Sequence, residues 1–234
     1  MNRSGFRFSG GLVAGAVVGL LGVSPIFGCG GKGEEPAANA PAGEAAAPTR
    51  KIGEAEYKAF GEAFKVDGFE APAPASVSGM GARVQLVAKP RDNGVKLQLE
   101  VAYSACDSFI CPKLDLAAAK ANQDNLKKNL PPIALENPDL VHEVFELDAG
   151  GQKALAVYTL YWSAKNTADG GTSKSHANSI DVTWHDDTQL VTVKARAIDF
   201  GAEDQAKLAE RTPRAELEAA AKAALEAARK AMPK

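Results

Sequence analysis

Cys106 and Cys111, separated by four residues, are the side chains best suited to chemistry in this 234-residue chain. A pair at that spacing can close into a disulfide, exchange the bridge with another thiol, or, as thiolates, hold a soft metal ion. Metal binding needs further ligands. His142, His176 and His185 are scattered along the chain, and no zinc-type spacing joins them to the cysteines, so no metal site is expected. His185 precedes Asp186 and Asp187, residues that favour a hairpin turn. Ser and Asp are plentiful, but no G-x-S-x-G elbow and no phosphate-binding P-loop occurs. No catalytic residue and no cofactor is therefore expected, and the protein reads as non-enzymatic.

A reactive cysteine needs a lowered thiol pKa, from a helix N-terminus or a nearby cation. Cys111 precedes an expected helix and Lys113 is adjacent, but Asp107 and Asp115 bring negative charge close by. Phe109 and Ile110 could fold over a bridge and shield it. The expectation is a structural disulfide, with thiol–disulfide exchange as the alternative. The run Tyr103, Cys106, Cys111, Pro112 also resembles the cysteine segment of the DsbD N-terminal domain family. That likeness covers about ten residues and implies electron transfer through the pair. In that family the cysteines lie on an immunoglobulin-like hairpin, whereas here the second one leads into a helix.

The third cysteine carries a different message. Arg3 and Arg7 form a positive amino-terminal region, and Leu12 to Val23 is an apolar run of small residues. Such a run has signal-peptide length and is too short to cross a bilayer of roughly 30 Å as a helix. Ser24 and Pro25 end it, and Ile26-Phe27-Gly28-Cys29 follows. This resembles the lipobox of bacterial lipoproteins, with Phe27 where a small residue is usual. The resemblance implies a signal peptide over 1–28, cleavage before Cys29, a lipid such as palmitate on that cysteine, and residence in the cell envelope. Gly30 resembles the residue that follows the cysteine in outer-membrane-sorted lipoproteins, facing the periplasm or the cell surface.

Gly30 to Arg50 contains no large apolar residue and is rich in Gly, Pro, Ala and Glu. It cannot bury enough surface to offset ordering its backbone. Residues 29–50 therefore read as a lipidated cysteine and a disordered tether, spanning on the order of 25 Å. Residues 51–234 read as a single domain. Loss of the leader, which carries Arg3 and Arg7 and no acid, leaves 25 basic against 29 acidic residues. No basic surplus points to nucleic acid, so the expected partners are the lipid bilayer, through Cys29, and another envelope protein.

The elements that must position Cys106 and Cys111 follow from periodicity. Tyr57, Phe60 and Phe64 mark a helix over 54–64, weakened by Gly61. Val84, Leu86 and Ala88 alternate with polar residues, then Asn93-Gly94 turns the chain, and Val95 to Tyr103 alternate again. The cysteine run comes next, then a helix expected over 114–129, stopped by Pro131-Pro132. Two further hairpins pair 141–147 with 154–162 and 179–185 with 190–198. Ala154 to Trp162 is apolar on both faces and is placed centrally; Trp162, Trp184, Tyr158 and Tyr161 read as core. Lys165 to Ser175 reads as a polar, mobile loop.

Thr212 is the expected N-cap of a last helix, with Pro213 at its first position. Leu217, Ala221, Ala224, Ala228 and Met232 form its apolar stripe, with Glu218–Lys222 and Glu226–Lys230 as helical pairs. The stripe is expected to pack on the sheet, with partner binding as the alternative. The fold class is α+β: a two-layer sandwich with an antiparallel sheet of about six strands and helices packed on it. The element order over 54–232 is similar to that of PsbP- and Mog1-like domains. That similarity implies a binding or assembly factor.

Overall fold

Alternation of apolar and polar side chains builds the sheet, and the long strands fall where that alternation is strongest. A computed structural model describes residues 52–106, 111, 115–166, 170–186 and 188–233. The expected signal peptide, Cys29 and the expected tether lie outside the described residues. Helix α1 (Glu54–Ala63) comes first, with the Glu56 carboxylate accepting from the Gly53 amide at 3.0 Å. Then come β1 (Phe69–Glu70), β2 (Ser76–Ser78), β3 (Gly81–Ala88) and β4 (Lys96–Ala105). Three short helices follow: α2 (Leu116–Ala121), α3 (Gln123–Lys127) and α4 (Pro132–Leu135). The chain returns through β5 (Val141–Ala149), β6 (Gln152–Asn166), β7 (Thr172–His185) and β8 (Gln189–Ile198). It closes with α5 (Gln205–Arg211) and α6 (Arg214–Ala231).

All eight strands join one antiparallel sheet in the order β1-β3-β4-β8-β7-β6-β5, with β2 also on β3. The three expected hairpins supply β3 to β8. The two additional strands, two and three residues long, are too short to show alternation. After β4 the chain crosses through α2–α4 to the far edge and meanders back. Strand β8 thereby pairs with β4 over Lys96–Ile198 to Ala105–Gln189. That closing pair sets the strand order around the cysteines.

One face of the sheet carries the main core. Val84, Leu99, Val101, Tyr103, Ala156, Ile180, Val182, Val193 and Ala195 meet α1, α5 and α6 there. Tyr57 and Phe60 of α1 pack against Tyr103 at ring distances of 5.6 and 4.6 Å. On α6, Leu217, Ala221, Ala224 and Ala228 are buried against the sheet, as the stripe predicts; Leu225 is buried with them, whereas Met232 is the half-buried C-cap. Arg214 opens this helix by lying over Phe145 and Tyr158, 4.5 and 5.0 Å from their ring centres. Burial alone would lower its pKa. Hydrogen bonds to Glu143 and Glu218 more than offset that and raise it.

Several expectations are corrected. Strand β6 lies one position in from the edge, not at the centre; it is apolar on both faces because α2–α4 pack over β5 and β6 on the second face. The helix expected over 114–129 is interrupted at Asn122, where φ and ψ are −95° and 8°. Most of the expected loop 165–175 is strand, since β6 runs to Asn166 and β7 starts at Thr172. Thr212 caps the C-terminus of α5, its amide donating to Leu208 O, and Pro213 is the N-cap of α6. Glu218 pairs with Arg214 at 2.7 Å, one turn back from the expected Lys222.

Gly61 has a packing reason for standing inside α1. A Cβ built there would lie 2.4 Å from the Cβ of Ala75 in the connector before β2. Only a residue without a side chain lets that segment close onto the helix. No helix among the described residues is long and apolar enough to cross a membrane.

Candidate functional site

The cysteine corner forms where β4 leaves the sheet. The last pair of the β4–β8 ladder is Ala105 with Gln189, and the next amide, Cys106 N, donates to Thr188 O at 2.7 Å. Asp186 builds the turn on the other side of that bond. Its Oδ1 accepts from Thr188 N, Thr188 Oγ1 and Gln189 N at 2.7, 2.9 and 2.8 Å. His185 ends β7 immediately before this turn, with Nδ1 3.0 Å from the Asp186 carbonyl. Cys106 and Cys111 are bonded to each other, with their Cα atoms 5.3 Å apart.

One ligand-capable atom from each of Cys106, Cys111 and His185 lies within 4.8 Å of the other two. All three residues are half-buried. The core face holds the corner from beneath. Tyr57 Oη accepts from the Ala105 amide at 3.1 Å, and Tyr103 Oη donates to Gln189 Oε1 at 2.8 Å.

The structure therefore brings His185 to the cysteine pair, where the sequence suggests only a turn residue. Spacing along the chain hides the relationship because it depends on β8 lying between β4 and β7. The other two histidines stand elsewhere. His142 on β5 is buried, its Nδ1 3.1 Å from Thr159 Oγ1, and its pKa is lowered by burial first and then by Lys127, with Asp181 opposing. His176 stands at the opposite end of β7. Asp115 caps α2 by accepting from Ala118 N at 3.0 Å. Asp107, Phe109, Ile110, Pro112 and Lys113 lie outside the described residues.

A second feature was not legible as a site. Strand β7 starts at Thr172, but its pairing with β8 begins only at Ser179–Arg196. The overhang leaves a cleft of about 500 Å³ lined by residues that include Lys174, His176, Lys194, Arg196 and Phe200. No carboxylate lines it among the described residues. Lys194 pairs with Asp181 at 3.1 Å, and Arg196 Nε donates to Gln98 Oε1 at 2.7 Å.

Phe200 is 89% exposed at the rim, edge-on to His176 at 6.2 Å. Its turn is closed by one side-chain hydrogen bond and flanked by an ion pair. The buried Asp199 accepts from Gly201 N at 2.9 Å and pairs with Arg211 Nε at 3.0 Å. The signal that could have found it is Asp199-Phe200-Gly201, a large aromatic set between turn-forming residues just past a strand.

No protein-family model, curated protein or solved structure matches this chain.

Proposed function

We propose that this chain is a bacterial lipoprotein, anchored in the cell envelope through Cys29, whose domain is a non-enzymatic binding module. The observation that carries the binding role is Phe200. A large aromatic side chain, almost fully exposed on a turn that the Asp199–Arg211 ion pair adjoins, is a recognition feature rather than a core residue out of place. The basic cleft beside it suits a partner segment that combines an apolar side chain with an acidic group. The leader, the lipobox-like Ile26-Phe27-Gly28-Cys29 and the tether supply the envelope address.

The test is site-specific photocrosslinking in intact cells, with the probe at position 200 and a control probe at Met80, which is 82% exposed. A discrete adduct at 200 that weakens in Arg196→Glu and is missing at 80 supports the reading. Equal labelling at both positions overturns it. The anchor is tested separately. Wild type should take up labelled fatty acid and Cys29→Ala should not.

Thiol–disulfide exchange through Cys106 and Cys111 has an observation in its own favour. Both cysteines are half-buried rather than sealed in the core, and the His185 imidazole stands beside them, so an incoming thiol can reach the bridge next to a polar side chain.

A further inference from the structure

We propose that Cys106, Cys111 and His185, once the disulfide is reduced, form a three-ligand site for Zn²⁺ with a fourth position open to water or an incoming donor. The site requires neither the Phe200 surface nor the lipid anchor.

Donor chemistry selects the ion. Two thiolates and a neutral imidazole are soft to borderline ligands and carry two negative charges together, which a Zn²⁺ ion balances. Mg²⁺ and Ca²⁺ want carboxylate and carbonyl oxygens, and Asp186 Oδ1 is already committed to three hydrogen bonds inside its own turn.

Geometry agrees with the chemistry. A tetrahedral ion with bonds of about 2.3 Å to sulfur and about 2.0 Å to nitrogen holds its ligand atoms roughly 3.5–3.8 Å apart. The three donor atoms here already fall within 4.8 Å of one another, close to the spacing that a tetrahedral ion needs once the two sulfurs part. The two cysteine Cα atoms, 5.3 Å apart, are near enough for both sulfurs to reach one ion.

Two of the three ligands, Cys106 and His185, are held by one turn before any ion arrives. Cys106 is tied to Thr188, Thr188 to Asp186, and His185 to the Asp186 carbonyl. The Asp186 carbonyl can only accept, so the proton of that hydrogen bond sits on Nδ1. A backbone carbonyl orienting the ring in this way is the usual support for a metal-binding histidine.

Disulfide and metal site use the same sulfur atoms and exclude each other. A dithiol donor supplies two electrons and two protons, its own sulfurs becoming a disulfide while Cys106 and Cys111 become thiols. Zn²⁺ then displaces the two thiol protons and forms two Zn–S bonds and one Zn–N bond. The site exists only in the reduced protein, and binding releases protons.

The experiment uses the full chain in detergent, reduced with a water-soluble phosphine, which leaves as its oxide with oxygen taken from water. Zn²⁺ is titrated against a chromophoric indicator, and Co²⁺ is added as a spectroscopic probe. One ion per chain is expected, with a sulfur-to-cobalt charge-transfer band and intense visible bands of a tetrahedral centre. The oxidised protein should bind neither ion. Cys106→Ser and Cys111→Ser should each abolish the charge-transfer signature of a dithiolate, and His185→Ala should weaken Zn²⁺ binding by roughly tenfold or more. Circular dichroism and melting of oxidised His185→Ala establish that this variant is folded. If it does not fold, His185→Gln takes its place, with the same expectation. Reduced wild type that binds neither ion, equal affinity in the histidine variant, or an octahedral cobalt spectrum overturns the site. Tight Cu⁺ binding without Zn²⁺ binding also overturns it, in favour of a two-sulfur site.

Discussion

The amide of Cys106 donates to the carbonyl of Thr188 at 2.7 Å, so the cysteine corner and the β7–β8 turn are one hydrogen-bonded unit. The bridge closes a loop of only a few residues and constrains the unfolded chain modestly. The Cys106→Ser, Cys111→Ser double variant should lose about 2 kcal/mol by the chain-entropy estimate. Denaturant melts measure that loss. A structural bridge is expected to have a reduction potential below about −300 mV, and a value near −200 mV or higher would favour the exchange reading instead. Equilibration against glutathione buffers decides between them.

Gly61 and Ala75 make a prediction opposed to helix propensity. On propensity alone, Gly61→Ala in the last turn of α1 should stabilise by up to about 1 kcal/mol. A Cβ at 61 would lie 2.4 Å from the Cβ of Ala75, however, and forcing a methyl into a packed site costs typically about 1–3 kcal/mol. The variant should therefore be less stable than the parent. Ala75→Gly in the same chain should recover most of the loss. A single variant that melts higher than wild type would show that the connector moves aside freely.

Much of the fold is legible because period-two alternation is local. Leu97, Leu99 and Val101 announce a half-buried strand whatever lies beside it, and so do Ile180, Val182 and Trp184. What the sequence hides is which strands become neighbours. The meeting of His185 with Cys106 and Cys111 depends on β8 returning to pair with β4, a non-local event with no motif. The early part of β7 is hidden for another reason. Asn178 faces the core side, but its amide donates to Leu208 O and Thr212 O at 3.3 and 2.8 Å, so a polar residue stands where alternation leads one to expect an apolar one. Gly61 reads as a weakness of its helix because its neighbour Ala75 is fourteen positions away.

His142 predicts how stability depends on pH. It is buried on β5, and its Nε2 has no hydrogen-bond partner among the described residues. Burial, with Lys127, holds its pKa below the ordinary 6.5. The unfolded chain therefore takes up a proton near pH 6.5 while the folded chain resists it. This contribution to stability is complete above pH 6.5 and is lost as the pH falls from there towards the lower folded value. The slope from this one group is at most about 1.4 kcal/mol per pH unit. Denaturant melts between about pH 7.5 and pH 5 should show the decline, and His142→Gln should flatten it. A variant as pH-sensitive as wild type would move the effect to other groups.

The last helix is part of the core rather than an arm held out for a partner. Leu208, Leu217 and Leu225 are fully buried, and α6 lies across β8, β7, β5 and β4. Ending the chain at Ala202 removes all three leucines and leaves the apolar face of four strands in water. Full burial of each is worth roughly 1.5–3 kcal/mol, against a typical domain stability of about 5–15 kcal/mol. The truncated chain should therefore fail to fold cooperatively. A milder variant keeps the inference testable if truncation simply aggregates. Leu225→Ala leaves Arg214 on Phe145 and Tyr158, and leaves the Asn178 clamp on the α5–α6 corner in place. It removes only packing, so it should cost about 2–5 kcal/mol and leave the sheet intact. A Leu225→Ala protein whose denaturation midpoint matches that of wild type would mean that α6 contributes little, and the helix would then be free to serve a partner.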